Sequence, residues 1–248
     1  MLTVVRLDSV GSTSTYMRET MHDAPAGTVV VTRCQSAGRG QRGNCWEAEP
    51  GMNLTFSVLL RPEGIEAAGQ YAISEAVAVA VAETLSPLVP DSKKLLIKWP
   101  NDIYYGDRKL CGILIENTLG GMSILRSIAG IGININQREF TSDAPNPVSL
   151  WQITRIDHNL DTILGQVATA ILDNITAIST PSGREEIARR YHDRLWRRDG
   201  LHPYRLPDGT RFMASIEGIA PTGHITLRHA DDTLSTHAFK EVSSIITP

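Results

Sequence analysis

A chain of 248 residues, 42% hydrophobic and 21% charged, is long enough for an ordinary core and a small second domain. Its formal net charge of -3 argues against general binding to nucleic acid or a membrane surface, although it does not exclude a local basic site. Three cysteines without C-x-x-C spacing indicate neither a disulfide framework nor a zinc site. With no signal peptide or membrane-length apolar run, we expect a cytoplasmic protein.

The N-terminal part predicts strands and one short helix. Residues 2–7 alternate as in a strand, and Tyr16, Met17 and Met21 then recur at helical spacing. The hydroxyls of residues 12–14 are good helix caps, so their simplest interpretation is a helix start. Residues 28–32 are β-branched and residues 52–60 alternate, which predicts two further strands.

The middle of the chain predicts a buried helix and more strands. Residues 67–88 are rich in alanine and valine and lack a polar face, so we expect a helix that is buried on most sides. Residues 95–105 and 109–116 predict two apolar strands joined by a turn at residues 106–108. In residues 123–136, Gly or Ala alternates with Ile, which predicts a central strand where another group approaches the backbone closely.

The C-terminal part changes from helix to strand patterns. Helices are expected at about residues 160–178 and 184–196. After Gly200, short β-like segments alternate with turns at residues 207–209, 221–223 and 231–232. Several short strands at this spacing predict a small barrel of the SH3-like kind.

A glycine-rich stretch carries the first functional signal. Gly38, Gly40 and Gly43 spell the dinucleotide-binding pattern G-x-G-x-x-G after a plausible strand. Residues 44–51, however, lack a helical period and end in Pro-Gly, so the helix that the motif requires is missing. With Arg39 and Arg42 inside it, the stretch favours a mobile, anion-binding active-site loop. A purely structural surface loop is the alternative.

Two lysines carry the second signal. Lys98 and Lys109 each lie in an otherwise apolar, strand-like segment, where an unpaired lysine is costly. Either they snorkel or pair with a carboxylate such as Asp102 or Glu116, or they line a pocket for an anionic ligand. Fixed cations near a glycine-rich loop suit chemistry on phosphate esters, where charge develops on oxygen.

Three motifs occur in order along the chain: Gly38-Arg39-Gly40-Gln41-Arg42-Gly43 with Trp46, Lys98-Trp99-Pro100-Asn101-Asp102, and Arg108-Lys109-Leu110-Cys111-Gly112-Ile113-Leu114-Ile115-Glu116. Together they resemble the motifs of the biotin–protein ligases, over essentially the whole chain. Residues 130–134 and Ser12-Thr13 add support.

The resemblance implies a two-step ligase reaction with ATP, biotin and Mg²⁺. Biotin's carboxylate attacks the α-phosphate of ATP and gives biotinyl-5′-adenylate and pyrophosphate. A lysine of a biotin carboxyl carrier protein then displaces AMP. The resemblance also implies an α+β fold: a mixed β-sheet backed by helices, as in class II synthetases, over residues 1–199, and an SH3-like barrel over residues 200–248.

The resemblance also implies roles for individual residues. Lys109 is expected near the biotin carboxylate and the α-phosphate, and Arg39 and Arg42 on phosphate oxygens. Lys98 and Asp102 are expected to face the metal, the phosphates or the incoming lysine, and these roles stay open, as do the metal ligands. The expected binding set for biotin and nucleotide, in which Trp46 flanks the adenine and Asn134 meets the nucleotide, is Ser12, Thr13, Ser14, Gln35, Gly38, Arg39, Gly40, Arg42, Trp46, Asn101, Lys109, Gly112 and Asn134.

Two positions depart from the family pattern. Ser14 stands where the family often has Asn, so one contact to the biotin ureido group is lost or supplied by water. Gln41 stands where Arg is frequent, which removes one positive charge from the loop. We expect this loop to be mobile without ligands and to close over the adenylate.

Competing interpretations explain less of the sequence. A lipoate–protein ligase shares the fold but usually shows Arg-Arg-x-Ser-Gly-Gly-Gly, which is missing here. A binding module built on the C-terminal barrel leaves Lys98, Asp102 and Lys109 unexplained. Because Ser12-Thr13 falls close to the first residue, we expect a ligase without an N-terminal DNA-binding domain, acting on no nucleic acid, as a monomer or homodimer.

Overall fold

The computed structural model describes residues 2–38, 40, 46–141 and 146–246. A mixed seven-stranded sheet comes first, in the order β1-β2-β3-β7-β6-β5-β4. β1 runs parallel to β2, and all the other neighbouring pairs are antiparallel. The strands are β1 (Thr3–Val10), β2 (Thr28–Gln35), β3 (Leu54–Leu60), β4 (Leu95–Lys98), β5 (Asp102–Tyr105), β6 (Arg108–Gly120) and β7 (Ser123–Ile133).

Helices cover the two faces of this sheet unequally. Helix α2 packs against α4 and α5, whereas α1 lies against β2, β3 and β7. Alternate residues of β3 point to opposite faces: Phe56 and Val58 join the main core, and Leu59 packs with Met17 of α1. Because α1 has only 8 residues, it leaves part of the sheet face on which it packs uncovered. The helices are α1 (Thr13–Thr20), α2 (Tyr71–Leu85), α3 (Leu150–Thr154), α4 (Leu160–Ala177) and α5 (Pro181–Asp193).

The buried helix predicted over residues 67–88 is confirmed in type and corrected in extent. Most residues of α2 are buried, as its uniformly apolar sequence predicts. The predicted ends are wrong, because Ala67–Gly69 and Ser86–Leu88 form 3₁₀ turns that flank α2. Pro87 lies in the second of these turns, as expected of a residue that cannot continue a helix. Helix α5 begins at Pro181, three residues before the predicted start, where the Thr180 side chain accepts a hydrogen bond from the Gly183 amide.

The single strand predicted over residues 95–105 is wrong. A turn at residues 99–101 divides it into β4 and β5, which pair with each other as a hairpin. Pro100 cannot donate a hydrogen bond to a ladder, and it lies in this turn. The predicted turn at residues 106–108 is confirmed by the hairpin between β5 and β6. β7 holds the central place in the sheet, as its Gly/Ile pattern predicts.

The chain ends in a small antiparallel sheet, in agreement with the SH3-like architecture expected there. Its order is β11-β10-β9-β8-β12, and Ala214, Ile225 and Leu227 lie in its own small core. Trp99 of the large sheet packs against that core. The domain boundary at residue 200 stays a prediction. The strands are β8 (His202–Arg205), β9 (Arg211–Ile219), β10 (Ile225–His229), β11 (Leu234–His237) and β12 (Ser243–Ser244).

Across the residues that the structure describes, every helix is too short or too polar to cross a membrane.

Candidate functional site

A cavity of about 460 Å³ opens on the uncovered face beside α1 and extends to the second sheet. Its lining comes from the start of α1, from strands β3, β6 and β7, from the turn after β4 and from the C-terminal sheet. Residues far apart in the sequence therefore meet around one space.

The end of the cavity at α1 carries neutral polar groups. The amide of Thr13 donates to Gln35 Oε1 at 2.7 Å, and the Thr13 hydroxyl lies 2.8 Å from that of Ser57. Ser12 is the N-cap residue of α1, yet its side chain makes no capping hydrogen bond and instead lies 3.1 Å from the Ser14 hydroxyl. The helix start is confirmed, but the hydroxyls face the cavity rather than the helix. Such groups suit an uncharged polar ligand.

A flat patch of backbone forms the floor of the cavity. Gly112 of β6 and Gly132 of β7 lie directly opposite each other, and the indole of Trp46 rests on them. A Cβ on Gly132 would lie 2.6 Å from Trp46 Nε1, and one on Gly112 would lie 3.0 Å from Cζ3. Trp46 is thus the group whose close approach the Gly/Ile pattern predicts. Within the described part of the chain, its buried Nε1 has no hydrogen-bond partner, so it can donate to a ligand.

An ion pair stands on the wall beside this patch. Lys109 Nζ lies 2.8 Å from Asp102 Oδ1, and the two side chains are 29% and 18% exposed. The register between β5 and β6 skips Leu110, so Lys109 is turned to the face of Gly112 instead of the core face of Cys111. Lys109 therefore pairs with a carboxylate and also lines the cavity. That the cavity takes an anionic ligand stays a prediction.

Lys98 also lines this part of the cavity, but it lies beside aromatic rings. Its ammonium stands 5.5 Å from the centre of the Tyr104 ring and 6.0 Å from that of Trp196. Burial lowers the pKa of Lys98, while the Asp102 carboxylate opposes that shift. Lys98 is thus a desolvated cation near the pair of Lys109 and Asp102.

Asn101 and Asn134 differ in their position relative to the cavity. Asn101 lines the cavity, but its side chain donates to the Ile113 carbonyl and its own carbonyl accepts from the Ile113 amide, so it pins the turn to β6. Asn134 is buried behind the lining, where its Nδ2 donates to the Val148 carbonyl at 3.2 Å. Among the described residues nothing satisfies Asn134 Oδ1, and the predicted contact of Asn134 with the nucleotide stays a prediction.

Most of the predicted site residues meet at this cavity. Gly38 and Asn134 are not in its lining, although the Gly38 carbonyl accepts from the Trp46 amide at 3.2 Å. Arg39 and Arg42 lie outside the described residues, so their roles stay predictions, as does the predicted mobility of their loop. The predicted residues that line the cavity are Ser12, Thr13, Ser14, Gln35, Gly40, Trp46, Lys98, Asn101, Asp102, Lys109 and Gly112.

Sequence reasoning missed the part of the lining that comes from the C-terminal region. Trp196, Tyr204, Phe239 and Lys240 all border the cavity. No local motif marks them, because their place depends on how the second sheet packs on the first. Trp99, which belongs to the motif over residues 98–102, links this motif to the C-terminal region: its Nε1 donates to the Gly223 carbonyl at 3.0 Å, and its ring contacts that of Phe239 edge-on.

Comparison with known proteins finds a family and a fold. Residues 7–134, slightly more than half of the chain, match the model of the biotin/lipoate A/B protein ligase family. The chain is 36% identical over 143 residues to the bifunctional ligase/repressor BirA of Salmonella typhimurium, a match that covers 58% of this chain and only 44% of that protein. It is 27% identical over 207 residues to the biotin–[acetyl-CoA-carboxylase] ligase of Mycobacterium tuberculosis, covering 81% and 73% of the two chains.

The solved structures include one that is similar over nearly the full length. The biotin protein ligase of Aquifex aeolicus, in complex with biotin and ATP, superposes with a TM-score of 0.79 at 23% identity, covering 98% of this chain and 99% of that one. This likeness confirms the α+β fold expected from the sequence, including the C-terminal SH3-like part.

Proposed function

The chain belongs to the biotin/lipoate A/B protein ligase family, and we propose that it is an ATP-dependent, AMP-forming biotin–[biotin carboxyl-carrier protein] ligase. It activates biotin as biotinyl-5′-AMP and transfers the biotinyl group to a lysine of a carrier domain. The name of the Mycobacterium tuberculosis relative and the ligands of the Aquifex structure support this substrate choice.

The observation that carries the proposal is the polarity of the cavity from end to end. Neutral hydroxyls and an amide lie at one end, around Thr13 and Gln35. The ammonium of Lys109 lies at the other, beside the indole of Trp46. Biotin has the same polarity, since its ureido ring is neutral and hydrogen-bonding and its chain ends in a carboxylate. The dithiolane ring of lipoate makes no comparable hydrogen bonds, so buried hydroxyls would be left unpaired around it.

The first step needs positive charge where oxygen becomes more negative. A carboxylate oxygen of biotin forms a bond to the α-phosphorus of ATP, and the bond from that phosphorus to the pyrophosphate oxygen breaks. Lys109 attracts the carboxylate and stabilises the charge on the α-phosphate oxygens. Asp102, 2.8 Å from the Lys109 ammonium, holds that ammonium in place. Arg39 and Arg42 are assigned to phosphate oxygens by the family motif alone.

In the second step the biotinyl group is transferred from the adenylate to the carrier. The neutral amine of a carrier lysine attacks the acyl carbon of the adenylate, the bond to the phosphate oxygen breaks, and AMP leaves with its negative charge. Lys98 and Asp102 line the cavity together with Lys109, and we assign these charge changes to them. The partly buried Lys98 ammonium suits the departing phosphate, and the Asp102 carboxylate suits the proton that the incoming amine loses.

The donor set around the cavity fits Mg²⁺ only as a partner of ATP. Within the described ranges, no group of three or more His, Cys, Asp or Glu side chains could hold a metal ion. Mg²⁺ commonly keeps several waters and binds through one or two carboxylates and the substrate's phosphates. Among the described residues of the lining, Asp102 is the one carboxylate, and the ion would supply charge neutralisation on the phosphates there.

The cellular setting follows from composition. An odd number of cysteines without metal-binding or disulfide spacing favours a reducing compartment, so we assign the reaction to the cytoplasm.

Exchange of radiolabelled pyrophosphate into ATP tests the proposal, because only the reversible first step moves the label. We expect exchange when biotin is added and none with lipoate or without an acid. Exchange with lipoate instead of biotin would reassign the enzyme within its family. No exchange with either would refute the ligase assignment.

A further inference from the structure

Two tyrosine hydroxyls contact the backbone of the turn at residues 99–101, from the side of the sheet opposite the cavity. Tyr71, the first residue of α2, and Tyr191 of α5 are 7% and 1% exposed. Their hydroxyls lie 2.7 Å apart, and both lie within hydrogen-bonding distance of the Pro100 carbonyl, at 3.0 Å and 3.3 Å. Neither side chain lines the cavity.

The proton count shows how the two hydroxyls share one acceptor. Two O–H groups supply two protons: one hydroxyl donates to the other, and the remaining proton goes to Pro100. Tyr71 has the shorter distance to the carbonyl, so the favoured arrangement runs from Tyr191 to Tyr71 to Pro100. Either hydroxyl alone can still reach the carbonyl. Burial raises the pKa of both tyrosines, so both stay protonated donors at neutral pH.

The carbonyl that they hold lies two residues before the catalytic carboxylate. Pro100 is in the turn between β4 and β5, and Asp102 begins β5. The other groups of the turn are also fixed: Asn101 bonds to β6, and Trp99 donates to the Gly223 carbonyl of the C-terminal sheet. The Pro100 carbonyl is a further backbone acceptor of this turn, and Tyr71 and Tyr191 supply its donor. Tyr71 also contacts the C-terminal sheet, because its amide donates to the Pro221 carbonyl at 3.2 Å.

We propose that Tyr71 and Tyr191 are positioning residues, whose paired hydroxyls hold the Pro100 carbonyl and thereby set the Asp102 carboxylate against the Lys109 ammonium. The inference rests on the proposed function for its kinetic consequence and on the geometry alone for the ion pair. Displacement of catalytic groups by about 1 Å can slow a reaction by roughly 100-fold, so a small movement of this turn is sufficient. Binding of biotin's ring, at the far end of the cavity, does not depend on it.

The test compares Tyr71→Phe, Tyr191→Phe and the double variant, which remove only hydroxyl groups. Because each hydroxyl can replace the other, we expect each single variant to retain kcat for pyrophosphate exchange within about 3-fold. In the double variant the carbonyl loses its donor, and we expect kcat to fall about 10- to 100-fold with KM for biotin within about 2-fold. Asn174→Ala is the matched control, since it removes a buried hydrogen bond from α4 to the Ala76 carbonyl of α2, away from the turn. The control is expected to lose thermal stability and to keep kcat.

A second readout does not depend on the reaction. Reductive methylation followed by mass spectrometry compares Lys109 with Lys93 and Lys94, which lie outside the cavity lining. Loss of the contact with Asp102 should make Lys109 react faster in the double variant, with the other two lysines unchanged. Unchanged Lys109 labelling together with unchanged kcat would overturn the inference, as would an equal loss of kcat in Asn174→Ala. If the wild type shows no exchange, the proposed function fails, while the labelling still decides whether the hydroxyls hold the ion pair.

Discussion

The close contact between the Trp46 indole and Gly132 predicts how strongly a methyl group at residue 132 would disturb the packing. A methyl group at Gly132 would lie 2.6 Å from Trp46 Nε1 and 2.7 Å from Cζ2, whereas ordinary contact begins at 3.4 Å. In Gly132→Ala the indole must therefore move by nearly 1 Å or leave the floor of the cavity. Gly130 lies two residues earlier on the same face, and a methyl group there would be 3.6 Å from its nearest neighbour. Gly130→Ala is thus a matched control.

The expected destabilisation is that of an overpacked site. Forcing an extra methyl group into a packed region costs about 1–3 kcal/mol, and replacing Gly by Ala returns about 0.4–1 kcal/mol through the unfolded chain. For a protein of this length, 1 kcal/mol corresponds to roughly 2–4 °C in Tm. We expect Gly132→Ala to lower Tm by several degrees and Gly130→Ala to leave it unchanged or slightly raised.

The assay is thermal unfolding by circular dichroism in two backgrounds. In the wild-type background the two alanine variants should differ as described. In a Trp46→Ala background the obstructing ring is gone, so Gly132→Ala should behave like Gly130→Ala. Equal effects of the two substitutions in the wild type, or an effect of Gly132→Ala that persists without the indole, would refute the packing described for this site.

Three further predictions concern charge. Lys109→Ala should fold and lose about 10²–10³ in the rate of adenylate formation, with only partial recovery in Lys109→Arg, as stopped-flow or quench kinetics would measure. Burial raises the pKa of Glu75 from 4.5 to about 7, so the folded state binds more protons than the unfolded state between these values and stability falls as pH rises through them. Glu75→Gln should therefore stabilise the protein at pH 8, by about 3 kcal/mol at most, and change little at pH 4, which urea unfolding would test. At a net charge of -3, gel-shift assays should find no sequence-specific DNA binding, and salt-sensitive nanomolar binding to a defined site would contradict this.

The sequence predicts the fold well wherever one periodicity dominates. The apolar α2 and the Gly/Ile alternation of β7 identify a buried helix and a central strand without reference to the rest of the chain. The ends are less predictable, because 3₁₀ turns at Ala67–Gly69 and Ser86–Leu88 continue the apolar pattern beyond α2. Pro100 favours a turn, yet the apolar residues on both sides of it predict one long strand.

The candidate site is predicted only as far as its motifs extend. Lys109 and Asp102 are visible as a cation and a carboxylate, but their pairing depends on a register shift at Leu110 that no sequence pattern indicates. The tyrosines behind the turn come from α2 and α5, and only tertiary packing joins them. The residues that the C-terminal sheet adds to the cavity lining are likewise brought there only by tertiary packing.

The most direct test follows the acyl group through both half-reactions in one cavity. The protein is mixed with ATP and radiolabelled biotin in the absence of a carrier, freed of small molecules by rapid gel filtration, and then given a biotin carboxyl carrier domain. The account predicts that about one equivalent of label stays bound, that acid quenching releases it as biotinyl-5′-AMP, and that it moves to the carrier lysine without further ATP. Label that elutes as free biotin, or a bound adenylate that the carrier does not discharge, would contradict the account.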